Sequence, residues 1–194
     1  MNSETITIPR GDTDSFYSYL ADITTGTPVI VDITGYKLIC SIKTQYELPD
    51  ENVVIPQIEQ TISATSGAGT VGSSSTTVTG SETSFTTAVQ AGDLILSGTQ
   101  LRIVASVTSN TVLVTKGLPS PDDVSVTLND SFSPALSSAT YKILRPQISF
   151  SAVNTDIAFG KYVYDIRWVS PIGVVTTTNV GQFVISKNVT RKNT

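Results

Sequence analysis

Histidine is absent from the 194 residues, and cysteine, methionine and tryptophan occur once each. Without imidazole there is no Ser-His-Asp or Cys-His nucleophile system and no histidine metal site. The single Cys40 excludes an intramolecular disulfide. It stands in YKLICSIK, where Leu38, Cys40 and Ile42 share one face of a strand, so a small buried apolar residue is expected rather than a reactive thiol. Charge is scarce as well, at 14% of residues with a formal net charge of −4, and this disfavours nucleic acid as a partner. Binding phosphate needs a basic stripe, and the one cationic cluster, Lys187, Arg191 and Lys192, reads as a solvated chain end.

Long hydrophobic runs are missing too. VIV (29–31) and LILS (94–97) fall far short of the roughly 20 residues that span a bilayer, so no membrane partner is expected. MNSETITIPRGD shows no charged-then-apolar leader pattern, which points to a chain that starts in a cytoplasm. Helical periodicity is nearly absent. What is present is 39% hydrophobic residues, enough for a folded core, arranged almost everywhere with a period of two.

In GKYVYDIRWVS (160–170), Tyr162, Tyr164, Ile166 and Trp168 point one way, while Val163, Asp165, Arg167 and Val169 point the other. That is a half-buried antiparallel strand with its aromatics in the core. Ser170-Pro171-Ile172-Gly173 supplies a turn, followed by VVTTTNV and then GQFVISKNV, which reads as consecutive hairpins. The beginning reads the same way: ETITI (4–8), a turn at Pro9-Arg10-Gly11-Asp12, SFYSYLAD (15–22), a Gly26/Pro28 turn and YKLICSIKT (36–44). VVIPQIEQTI (53–62) is extended, with Pro56 marking an edge or a bulge.

Residues 70–93, TVGSSSTTVTGSETSFTTAVQAGD, have the composition of a linker. A linker, however, would stay polar on both sides. Here Val78, Phe85 and Val89 give apolar anchors, and DLILS (93–97), QLRIVASVT (100–108) and TVLVT (111–115) follow at once. The last two form a hairpin signature with Ser109-Asn110 at the turn. VSVTL (124–128) and ATYKILRP (139–146) complete five or six short strands, enough for a small barrel whose Ser and Thr face outward. The expected architecture is all-β: a discontinuous β-sandwich over 1–65 plus 146–194, interrupted by a small β-barrel insert over 66–145.

The flanking segments IPRGDTDSFYSYLAD (8–22), VDITGYKLICSIKT (31–44), NTDIAFGKYVYDIRW (154–168), SPIGVVTTTNVGQFVIS (170–186) and NVTR (188–191) resemble, in order, a pattern of tailed-bacteriophage virion proteins. The insert, through TTVTG (76–80), Phe85, AGDLI (91–95), LRIVASVTSNTVLVT (101–115) and YKIL (141–144), is similar to a small barrel module of phage structural proteins. The resemblance covers about 110 flanking residues and implies an immunoglobulin-like sandwich in a non-catalytic virion component of the tail, neck or baseplate. It implies other virion structural proteins as partners, homo-oligomerisation in the particle, and localisation in a virion assembled in the host bacterial cytoplasm. A carbohydrate- or receptor-binding module and a capsid decoration protein are the alternatives.

Several features invite other readings. Arg10-Gly11-Asp12 is an integrin-type tripeptide, but its glycine suits a tight turn with Asp12 and Thr13 capping it. Asp12/Asp14, Asp122/Asp123 and Asp130 lack the loop spacing calcium needs. Glu47, Asp50, Glu51 and Glu59 near the domain junction evoke a glycosidase pair, yet they read as surface charge. Tyr17, Tyr19, Tyr162, Tyr164 and Trp168 would make a sugar platform only if exposed, and their alternation assigns Tyr164, Trp168 and Phe183 to the core. The sequons at Asn129 and Asn188 carry no weight in a bacterial or phage setting. No catalytic, cofactor-binding or metal residue is assigned.

Overall fold

The protein is all-β in a computed structural model that describes residues 5–24, 28–49, 52–119, 127–128 and 130–187. In chain order, the strands begin with β1 (Thr5–Pro9), β2 (Asp14–Tyr17), β3 (Ala21–Asp22), β4 (Val29–Ile30), β5 (Lys37–Lys43) and β6 (Ile58–Thr61). The middle contributes β7 (Thr65–Ser66), β8 (Thr70–Ser74), β9 (Thr77–Ser81), the short helix α1 (Phe85–Ala88), β10 (Leu94–Ser97), β11 (Gln100–Ser109) and β12 (Val112–Lys116). The rest are β13 (Leu118–Pro119), β14 (Thr127–Leu128), β15 (Lys142–Leu144), β16 (Gln147–Phe150), helix α2 (Ala152–Thr155), β17 (Gly160–Val169) and β18 (Val175–Ser186). No helix among the described residues is long and apolar enough to cross a membrane. Most of VSVTL (124–128) lies outside the described residues.

Two compact units emerge, one within Met1–Ser18, Tyr36–Thr61 and Gln147–Thr194, the other within Tyr19–Gly35 and Ile62–Pro146. Residues 19–35, expected with the flanks, cluster with the central unit. Long-range bonds hold them there: the Tyr19 hydroxyl donates to the Gly92 carbonyl at 2.8 Å, and the Gly35 amide donates to the Ile62 carbonyl at 2.8 Å. Ile30 and Ile33 are buried alongside.

The first unit has a five-stranded sheet in the order β1-β18-β17-β5-β6 and a two-stranded sheet of β2 and β16. Its alternation does what period-two patterning predicts: Leu38, Cys40, Ile42, Tyr164, Ile166, Trp168, Phe183 and Ile185 are all buried. The small sheet packs on this face through rings, with Phe150 at 5.1 Å from Phe183 and Phe16 at 6.4 Å from Tyr164. Such separations favour tilted aromatic pairs. β6 is an edge strand, and Pro56 lies just before it, where a missing amide costs no ladder bond.

Two hairpin expectations are corrected here. β1 does not pair with β2. It runs parallel to β18, Thr5 opposite Gln182 through Pro9 opposite Ser186, while β2 pairs with β16. The Pro9–Asp12 turn therefore moves the chain from one sheet to the other. VVTTTNV and GQFVIS are also one strand, because Gly181 stays in register opposite Tyr164 instead of turning. The turn at Ser170–Gly173 does form: Gly173 takes φ +84°, which favours glycine, and its amide donates to the Ser170 carbonyl.

The second unit contains a seven-stranded sheet in the order β7-β15-β10-β11-β12-β9-β8 and the two-stranded pairs β3-β4 and β13-β14. The two ends of the seven-stranded sheet meet. β7 pairs with β15, and Val71 of β8 exchanges two 2.8 Å backbone bonds with Ala139, just ahead of β15. Residues 70–93 are folded as β8, β9 and α1, with Val71, Val78, Phe85 and Val89 in a core shared with Ile95, Val104, Leu113 and Tyr141. The β11–β12 turn is Asn110-Thr111, not Ser109-Asn110, since Ser109 pairs with Val112 and its hydroxyl accepts the Thr111 amide.

Candidate interaction surfaces

The Arg10-Gly11-Asp12 turn is built into its own unit. Gly11 has φ +77°, and the Asp12 amide donates to the Pro9 carbonyl at 3.1 Å. The Arg10 guanidinium pairs with Asp156 at 2.8 Å, and the Thr155 hydroxyl donates to the Asp12 carbonyl at 2.6 Å. Helix α2, whose Ser151 and Asn154 form a capping box, presents Thr155 to this turn. The tripeptide is thus a clamped connection between sheets, with its cation already engaged.

The acidic candidates do not converge. Among the described residues, no group of three or more His, Cys, Asp or Glu side chains is placed to hold a metal ion. Asp122, Asp123, Asp50 and Glu51 lie outside the described residues, as do the sequon asparagines Asn129 and Asn188, and Arg191 and Lys192. Glu47 is exposed, and Glu59 pairs with Lys37 across the β5–β6 edge at 3.1 Å. Lys187 lies over the Phe159 ring at 5.6 Å.

The charges that are buried hold strands together. Asp93 is fully buried and receives both Nε and Nη2 of Arg145, at 2.8 and 2.7 Å, plus the Gln90 amide. In the first unit, Asp165 bridges Lys43 at 3.3 Å and Arg167 at 3.2 Å, and Arg167 also donates to the Ser41 hydroxyl. Lys43 donates to the Leu48 carbonyl as well, so the segment after β5 folds over this face. Burial, reinforced by the Asp165 charge, pushes the Cys40 thiol up to about 12, which leaves essentially no thiolate at neutral pH. These groups form structural staples, each cation facing a carboxylate or carbonyl.

Of the five candidate sugar-platform aromatics, Tyr164 and Trp168 are buried and Tyr19 is bonded to Gly92 in the second unit. Tyr17 and Tyr162 are half-buried, and the Tyr162 hydroxyl donates to the Ala158 carbonyl at 2.7 Å. No ring platform faces solvent from these residues.

What the sequence reading overlooked is the tip of the β17–β18 hairpin. Ile172 is 87% exposed, and Val174 and Val175 are more than half exposed beside it. No charged residue occurs from Ser170 through Ser186. Turn tips are ordinarily polar, so Ile-Gly-Val-Val at a turn was the available signal. The second unit offers a different surface, a groove of about 400 Å³ lined mainly by hydroxyl residues such as Ser73, Ser74, Thr79, Ser81 and Ser137, with Leu136 beside them. No protein-family model, curated protein or solved structure matches the chain.

Proposed function

We propose that the protein is a non-catalytic structural component of a tailed-phage virion, an assembly adaptor of the tail, neck or baseplate. It combines an immunoglobulin-like sandwich in the first unit with a small β-barrel in the second. The observation that carries the assembly reading is the uncharged hairpin tip, where Ile172, Val174 and Val175 stand in solvent. Exposed apolar groups of this kind favour burial against another protein surface.

The fold part of the reading is supported by topology. The parallel β1–β18 pairing, the β18-β17-β5-β6 order and the opposed β2–β16 pair follow the strand arrangement of immunoglobulin-like domains. The Tyr162 hydroxyl bond to the carbonyl four residues upstream matches the tyrosine corner of that fold. The bonds that bring β8 to Ala139 support the barrel. The resemblance of the flanking motifs then supplies the virion context.

Immunogold electron microscopy tests the proposal, using an antibody to the recombinant chain on particles from a lysate of the strain that encodes it. Label confined to the tail or head–tail junction is the expected result. Label over the head would make the protein a decoration protein, and unlabelled particles would overturn the virion reading.

A further inference from the structure

The parallel pairing of β1 with β18 fixes how the first unit resists a pull. Both strands run the same way, with Thr5 opposite Gln182 at one end and Pro9 opposite Ser186 at the other. A pull applied at Thr5 and at Ser186 therefore acts at opposite ends of one ladder. It slides β1 along β18 and loads the evenly spaced, slanted bonds of the parallel pair together. An antiparallel partner would have placed both points of attachment at the same end, where bonds open one at a time.

Each strand is anchored beyond this ladder. The Arg10 amide donates to the Ser186 carbonyl at 3.1 Å, so by the alternation of a strand the amides of Ile8 and Ile6 point at β18 too. Pro9, which has no amide, stands where one would face away. Ile8, Phe183 and Ile185 are buried behind the ladder. The far end of β1 runs into the Arg10–Asp156 ion pair and the bond from Thr155 to the Asp12 carbonyl. On its other side β18 is held by ten residue pairs with β17, against five with β1. The β1–β18 ladder is the shorter joint and the one that yields first. The second unit, whose residues all lie between Tyr19 and Pro146, is off the path from Thr5 to Ser186.

We infer that the first unit is a tension-bearing link, in which a load across Thr5 and Ser186 is carried in shear by the β1–β18 ladder and bypasses the second unit. Resistance of this kind belongs to a direction of pulling. The same five pairs, pulled apart sideways, meet the load one after another and give way sooner. The inference rests on the strand geometry of the first unit and stands whether or not the protein belongs to a virion.

Single-molecule force spectroscopy on the full chain tests this by comparing two pulling directions. In the first, tags fused to the two ends load the ladder in shear. In the second, the amino-terminal tag is paired with a handle on Gln182→Cys, an exposed position directly opposite Thr5, so that the force crosses the strands and peels them. Cys40 is buried and stays unlabelled in the folded chain. Forced unfolding is governed by the unfolding rate under load, so the rupture force is expected to be about twofold or more higher in shear. No extension step should precede that rupture. Gln182→Cys pulled end to end should match the unaltered chain, which keeps the substitution itself from producing the difference. The inference is overturned if both directions rupture at the same force. It is equally overturned if the second unit extends before the ladder ruptures in end-to-end pulling, because the load then passes through that unit.

Discussion

The two units solve the same β-sheet problem in opposite ways. The first stacks two sheets, fills the space between them with rings (Phe16, Phe150, Tyr164, Trp168 and Phe183), and keeps β1 and β6 as the edge strands of its larger sheet among the described residues. The second brings its sheet ends together, fills the inside mainly with Val, Ile and Leu, and lets glycines approach side chains closely. A sheet whose ends are drawn together presents fewer strand edges than a flat stack does. The difference teaches where each unit's surface chemistry lies: an apolar hairpin tip on the first, a hydroxyl-lined groove on the second.

Trp168 is the only tryptophan, so its fluorescence reports the first unit alone. The sharpest contrast should come from Phe183→Ala, which removes a fully buried ring and is expected to cost the first unit about 3–5 kcal/mol in urea unfolding followed by Trp168. In the second unit, Arg145→Ala strands the buried Asp93 carboxylate. Because the arginine side chain is about one-third exposed, a cost of about 3 kcal/mol is expected, the low end for a broken buried pair. Amide signals of β10–β12 should report that loss while the Trp168 transition stays in place. If both transitions move together, the two-unit comparison fails.

A gentler probe of the second unit is Gly67→Ala. A Cβ at this position would sit 2.0 Å from the Tyr141 ring, so overpacking of about 1–3 kcal/mol is expected by the same amide signals. The first unit has an alkaline counterpart in Cys40. Its folded thiol holds its proton up to about 12 against an ordinary 9.0, so unfolding releases a proton above pH 9. Stability is therefore full below pH 9 and falls as the pH rises toward 12. Cys40→Ala should be less stable at pH 7 but show a shallower alkaline decline of the Trp168 transition. The smallest stability effect is expected of Ile172→Ser, within about 0.5 kcal/mol because the side chain is exposed. Incorporation into particles, scored by immunoblot after complementation, should nevertheless be lost.

Much of the first unit was legible in local pattern. Alternation in 37–43 and 160–169 selects the buried face correctly, because each strand residue faces the side opposite its neighbour. Gly11 and Gly173 mark turns because their positive φ is costly for other residues. The exposed apolar tip was less legible: Ile172 reads as an ordinary turn residue until its exposure is known. The candidate carboxylates and aromatics were visible as residue types, but whether they converge depends on distances between strands far apart in sequence.

By itself, the sequence determined the all-β class, the strands that alternate, the turn chemistry and the inertness of a lone cysteine among apolar neighbours, since each follows from forces acting within a few residues. Only the tertiary structure decided that β1 runs parallel to β18, that 175–186 is one strand, and that 19–35 joins the central unit. It also decided that Arg145 finds Asp93 52 residues away and that a cavity opens where Asn179 and Gly181 oppose Ile166 and Tyr164. Backbone pairing is nearly indifferent to side-chain identity, so strands choose partners by the packing of the whole core, and that choice is not written in any one segment.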